Sequence, residues 1–453
     1  MSFKKDPRLI LIILLLYSIT LGFVDKSVAE IILATTTIAV ILTPFFLKKI
    51  EIYEPYFFVS IFFTLAYCLF FADSIYEEKL NITQESILQA RWFILIFYIF
   101  FLIGYFWVKK KNPHQSPLVV NRIVPVKIPI KFYLVVILLS VSARLFTILQ
   151  GSYFHGMGEL DDTNTLGVWS NIVFTCNNLI YPVIILLILH QKQTDKKIVS
   201  ILLWASIIIS LVYELPRGSK EGVGIIFFYI LIGYSFVRQT KIKLIHLAIV
   251  VGLVLFIFSF YKYYRTQAYI GQVPSFTEAL HEYTSNNQNT LTDAIEIAIG
   301  RLDHTVILEI IIQKDDAYLW GETYAQLIYQ PIPRFIWPDK PVKISGNEFG
   351  RQIGLLSPVD QQTSVSRGWL GEAYMNFGIW SVALGFIFGM FYAWIYNFFF
   401  FKTSYLSPVS VALYPMFLIA IIEGNLIAYE LAGAAKQALI FLFLFYMLNV
   451  TKS

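Results

Sequence analysis

Arginines recur on one side of this chain. Arg217 sits in the tight stretch Pro216-Arg-Gly-Ser-Lys-Glu221, and Arg265, Arg301, Arg334, Arg351 and Arg367 follow. Guanidinium groups stay charged and grip phosphate oxygens through two parallel N–H bonds, so this set suits a substrate carrying a pyrophosphate. Lys220 and Lys340 add point charges of the same sign. The plainer alternative for any one arginine is snorkelling to an interface or pairing with a nearby acid. Arg217 resists that alternative most, because cations are disfavoured in short loops on the exterior face assigned below.

Groups able to take a proton from an attacking hydroxyl lie near these cations. Asp303 and His304 adjoin Arg301, and Glu372 follows Arg367. A carboxylate or imidazole is the usual base for such a transfer. A structural ion pair or a solvated helix face is the competing reading of each. Glu423, Glu430 and Lys436 fall near the exterior ends of the last apolar segments, where they could line a site or pair with one another. Asp161-Asp162 and Asp315-Asp316 lack partners at ligand spacing, so no metal site is expected. No glycine-rich phosphate loop follows a strand, and no Ser-His-Asp pattern occurs. Asn171, Asn177 and Asn178 mark one apolar segment as facing the bundle interior, for a polar cavity or for helix–helix hydrogen bonds.

The elements that must hold these residues are membrane helices. Only 14% of the 453 residues are charged and 57% are apolar, which excludes an ordinary soluble domain. Apolar runs of about 17–25 residues recur at the length needed to cross the hydrocarbon. They read as about twelve spans, at 9–24, 28–47, 55–72, 92–108, 132–149, 168–190, 198–213, 222–237, 244–261, 371–400, 406–422 and 430–448. The first resembles a signal peptide but has no small-residue cleavage site after it, so it reads as a retained anchor. Cys68 and Cys176 both fall in apolar segments, which argues against disulfides and metal clusters. The net charge of +5 has a local origin and does not signal nucleic-acid binding. Lys4, Lys5, Lys48, Lys49, Lys109 to Lys111, Lys196, Lys197 and Lys402 crowd one set of loops. The opposite loops carry Asp73, Glu77, Glu78, Glu159, Asp161 and Asp162. Both termini are therefore expected in the cytoplasm.

The chain divides accordingly into helices one to nine over 1–261, a large exterior loop over 262–370, and helices ten to twelve over 371–453. Within the loop, Leu291 to Lys314 has helical periodicity, with a stripe through Ile295, Ile299, Leu302, Val306 and Ile310. It predicts a helix lying along the membrane surface or packed on the spans. Pro331, Pro333, Pro338 and Pro341 then force an extended path. Ser366 is a candidate N-cap for the tenth span.

Two stretches carry a resemblance. Pro333-Arg-Phe-Ile-Trp-Pro-Asp-Lys-Pro341 and Gly371-Glu-Ala-Tyr-Met-Asn-Phe-Gly378, with the Arg217-Gly-Ser loop ahead of a span, resemble the Wzy-type oligosaccharide repeat-unit (O-antigen) polymerases. Many spans with one long exterior loop fit the same family over the whole chain. Some of its members space an Arg and a Gly by ten residues in exterior loops. Arg367 and Gly378 reproduce that spacing, whereas Arg217 meets Phe228 there. The resemblance implies an all-α, polytopic, GT-C-like bundle in a bacterial inner membrane, active at its periplasmic face. It implies a metal-independent glycosyltransferase without cofactor. Its substrate would be an undecaprenyl-pyrophosphate-linked oligosaccharide, and its partners membrane lipids and a chain-length regulator protein. Asp303, His304 and Glu372 are then catalytic candidates. Arg217, Lys220, Arg265, Arg301, Arg334, Lys340 and Arg367 would bind the pyrophosphate, and Trp337, Tyr374 and Asn376 the glycan. Two rivals keep the same architecture: an O-antigen ligase, and a lipid-linked oligosaccharide flippase, which needs no large exterior loop.

Overall fold

The computed structural model describes residues 27–47, 54–68, 80–109, 128–150, 170–194, 196–217, 220–238, 276–285, 304–329, 336–341, 345–359, 364–401, 407–422 and 427–449, with isolated positions between them. Among these residues the fold is helical throughout. In chain order the helices are α1 (Val28–Leu47), α2 (Pro55–Tyr67), α3 (Gln84–Lys109), α4 (Ile130–Leu149), α5 (Ser170–Asn178), α6 (Ile180–Gln193), α7 (Lys197–Arg217) and α8 (Lys220–Arg238). There follow α9 (Phe276–Ser285), α10 (Thr305–Lys314), α11 (Glu322–Tyr329), α12 (Gly346–Gln352), α13 (Gly368–Phe377), α14 (Val382–Phe400), α15 (Pro408–Ile422) and α16 (Ile427–Asn449). Seven stretches of the described residues are long and apolar enough to cross a membrane, and three shorter apolar helices accompany them. The expected first span, and the ninth except for isolated positions, lie outside the described residues.

Local chemistry starts these helices where the sequence offers it. Ser27 and Glu30 form a reciprocal capping pair: each side chain accepts from the other residue's backbone N–H, at 3.3 and 3.4 Å. Ser345 caps α12 by accepting from Glu348 N at 3.0 Å. Lys109 forms a buried ion pair with Glu54, joining the end of α3 to the start of α2.

The tightest packing joins α3 to α14. A Cβ at Gly389 would stand 2.1 Å from the Phe101 carbonyl oxygen, and one at Gly104 would stand 2.0 Å from that of Phe386. Only glycine lets two backbones approach this closely, the means by which helices associate without a hydrophobic drive between them. Around this seam lies an aromatic core. Phe101 packs edge-on against Tyr392 at 5.5 Å, and Phe63 lies 4.6 Å from Tyr98.

Two features depart from the expected organisation. The tenth span is not one continuous helix, because α13 ends at Gly378 (φ +57) and a 3-10 turn over Gly378–Ser381 precedes α14. The Trp369 and Tyr392 rings meet at 5.5 Å, so the chain folds back on itself about that turn. A straight helix would hold these residues about 34 Å apart. The second departure concerns the expected helix from Leu291 to Lys314. Its described part begins only at Thr305, and every residue from Thr305 to Ile312 is buried. It is a short helix enclosed on all sides, so the one-sided surface alternative fails and the packed one holds. Gln313 accepts from Thr83 N at 2.7 Å and donates to Asn81 O at 3.2 Å. At the other end, His304 N donates to Ala66 O at 2.8 Å. Thus α10 runs antiparallel to α3, and its first residue lies well inside the helical body.

Candidate functional site

Three chain segments meet where α2 ends. Ala66 O accepts from His304 N and, at 3.3 Å, from the Thr305 hydroxyl, which fixes the start of α10 there. Leu370 N reaches the Tyr67 hydroxyl at 3.5 Å and brings the start of α13 to the same place. Gly368 lies between them with φ +65, a conformation that side chains rarely adopt. A Cβ there would stand 2.4 Å from the Tyr67 hydroxyl and 2.5 Å from His304 Nδ1. Two helix starts therefore converge on one point, and neither receives a side-chain cap from its N-cap residue, His304 or Arg367. In the first turn of α13, Gly368 N and Leu370 N already have partners in the Ser366 and Tyr67 hydroxyls, and the positive dipole end of such a start favours an anion.

The side chains at this junction are buried and polar. His304 is 5% exposed, and its Nδ1 has no hydrogen-bond partner. Burial pushes its imidazole down from about 6.5 to about 4, so the ring is neutral near pH 7. Arg367, 4% exposed, lays its guanidinium 4.5 Å from the centre of the Phe349 ring. Arg91 Nη1 donates to Tyr67 O at 3.3 Å, and its Nη2 stands 3.7 Å from Glu309 Oε1. This pair ties α3 to the end of α2 and to the middle of α10, beneath His304. The arrangement gathers two helix starts, a buried cation and a neutral imidazole at one junction.

The expected site residues divide clearly. His304 packs against Gly368, the chain neighbour of Arg367. Glu372 is fully buried one turn further on, and its Oε2 accepts from Ile427 N at 2.9 Å, capping α16 while Oε1 stays without a partner. Asn376, expected against a glycan, is instead buried, and its amide is consumed in packing. Its Nδ2 donates to the Thr323 hydroxyl and to Glu372 O, both at 2.7 Å, and its Oδ1 accepts from Gly321 N at 2.9 Å. Lys340, expected on a pyrophosphate, is buried and donates to Ile332 O at 3.0 Å. Trp337 is partly exposed, edge-on to Tyr329 at 6.3 Å. Tyr374 is half-buried against Phe93. Ser366 accepts from Gly368 N at 3.3 Å, so the expected cap acts one residue ahead of the helix boundary. Arg217 ends α7 and Lys220 begins α8; their side chains lie outside the described residues, as do Arg265, Arg301, Asp303 and Arg334 altogether.

Arg91, Glu309 and Tyr67 are functional-site neighbours that the sequence motifs do not mark, although a charge within an apolar run is an available signal for the first two. Arg144, 3% exposed on α4, is a fourth such residue. Its Nε donates to Asn177 Oδ1 at 2.7 Å, its Nη1 to Ser210 Oγ at 3.2 Å, and the guanidinium lies 4.9 Å from the Tyr213 ring centre. Ser140 Oγ donates to Asn177 O at 2.7 Å, so Asn177 serves helix–helix hydrogen bonding where α5 gives way to α6.

A cleft of about 680 Å³ opens between the first turns of α3 and the turn joining α13 to α14. It is lined by Glu85, Leu88, Gln89, Trp92, Tyr374 and Ile379. Comparisons with protein-family models, curated protein sequences and solved structures found no match to this chain.

Proposed function

We propose that this chain is a polymerase of lipid-linked oligosaccharide repeat units, with about twelve spans and a GT-C-like bundle. It would act at the periplasmic face of a bacterial inner membrane and work with a chain-length regulator. The observation that carries this reading is the convergence of two helix starts, with the buried N-cap residues His304 and Arg367, on the junction at Gly368. A pyrophosphate bridge between a polyprenyl chain and a sugar is a dianion that must be held where the lipid can reach it. Helix starts and a guanidinium supply that hold within a membrane bundle.

In the reaction, an acceptor sugar hydroxyl attacks the donor's anomeric carbon and its proton passes to the neutral His304 imidazole. The bond from that carbon to the pyrophosphate oxygen breaks, and polyprenyl pyrophosphate leaves with its charge stabilised by Arg367 and the helix starts. No nucleotide or metal enters this scheme.

The test is deletion of the gene followed by complementation with wild type, Arg367→Lys or His304→Gln, and electrophoresis of the surface polysaccharide. Deletion should leave single-repeat products, and wild type should restore polymer. Both variants should accumulate in the membrane yet fail to restore it, since lysine loses the bidentate fork. Absent surface glycan would indicate a flippase, and free lipid-linked polymer a ligase; either overturns the proposal.

A further inference from the structure

We infer that the cleft between α3 and the α13–α14 turn binds a sugar ring of the incoming acceptor, an inference that rests on the polymerase reading. Glu85, Leu88, Gln89 and Trp92 recur at helical spacing and so form one face of α3, with Tyr374 and Ile379 opposite. Glu85, Gln89 and Trp92 are exposed, Trp92 by 54%. Below Trp92 the same face continues through the exposed Ile99, Ile103 and Trp107, which is the lipid-facing stripe of a span. The cleft therefore opens sideways at the level where aromatic side chains meet headgroups.

Its chemistry selects a sugar over a phosphate. Among the described residues that line it, the one that carries a charge near pH 7 is an acid, Glu85, which repels phospholipid phosphates and pyrophosphate alike. A carboxylate and an amide beside Trp92 and Tyr374 match a pyranose, which offers hydroxyls at its rim and C–H groups on its faces. An acyl chain uses neither the carboxylate nor the amide. Tyr374 lies six residues along α13 from Gly368, about 9 Å of helix rise. A ring held in the cleft would thus lie about three helical turns or less from the start of α13, where His304 packs on Gly368.

Two measurements test this. Purified protein in nanodiscs is titrated with the soluble oligosaccharide released from the host's own surface polysaccharide by mild acid, and binding is followed calorimetrically. Wild type should bind, and Trp92→Ala and Glu85→Gln should each weaken binding by about five- to tenfold. The same variants, expressed in the deletion strain, should shift the surface polysaccharide towards short chains. Both side chains are exposed, so each variant should accumulate normally. Unchanged binding in both variants overturns the inference whatever the protein's activity. Weakened binding with full-length polymer overturns the acceptor assignment. If deletion leaves polymer intact, the polymerase reading fails, and the binding titration still decides the cleft by itself.

Discussion

Arg91 and Glu309 stand 3.7 Å apart with side chains 1% and 0% exposed, and they hold the short helix α10 against the first half of α3. Removing one partner from such a pair leaves a charge uncompensated in a medium that cannot solvate it, at about 3–5 kcal/mol. Arg91→Leu or Glu309→Leu should therefore sharply lower the melting temperature of the detergent-solubilised protein. The double variant Arg91→Met/Glu309→Leu should recover much of that loss. A double variant no more stable than either single would show that the pair is not the anchor.

Gly368 offers a cleaner comparison. At φ +65 any other residue strains the backbone by about 1–3 kcal/mol, and its Cβ would also overlap Tyr67 and His304. Gly354 has φ +80 with nothing within 4 Å of its Cβ position. Gly354→Ala should show the backbone cost alone, and Gly368→Ala that cost plus the displacement of His304. Equal loss of stability in the two alanine variants would remove the close approach at Gly368.

The imidazole of His304 gives a pH signature. Burial lowers it to about 4, below its ordinary value near 6.5. The unfolded chain thus takes up the proton first as pH falls. Stability from the neutral ring is complete above about pH 6.5 and is lost progressively down to about pH 4. Melting curves between pH 4 and 8 should show wild type losing more than His304→Gln across that window. A difference between the two that does not change with pH would contradict a buried neutral ring.

The membrane-spanning helices were legible because apolar runs of spanning length declare themselves. The site was legible only in part. His304 and Arg367 could be picked by type. Periodicity reports which residues share a face and says nothing of what lies against it, so it left open whether the helix at Thr305 to Ile312 lies on the membrane surface or packs on the spans. Nor could hydropathy reveal the reversal at Gly378, since α13 and α14 read as one apolar run of 33 residues. The roles of Arg91 and Asn376 depend on partners far away in the chain, which no local pattern encodes.

The direction of the chain can be checked at Val359, which is 86% exposed between α12 and α13. Cys68 is buried and Cys176 partly so, and both can be replaced. A cysteine at 359 in that background should react with a membrane-impermeant maleimide in cells whose outer membrane alone is permeabilised. Labelling only after the inner membrane is broken would reverse the assignment and put the site on the cytoplasmic side.

Glu372 and His304 can be separated as candidates for the base. The carboxylate of Glu372 accepts from Ile427 N at the first turn of α16, a bond that a glutamine carbonyl can also accept. Glu372→Gln should therefore keep α16 capped and leave polymer formation close to wild type. Glu372→Ala strands a buried donor and should cost about 1–3 kcal/mol of stability, read as a lower melting temperature and less protein in the membrane. His304→Gln should do the opposite, leaving the amount of protein unchanged while abolishing polymer. Loss of polymer in Glu372→Gln at normal protein levels, with His304→Gln still active, would move the base to Glu372 and its unpartnered Oε1.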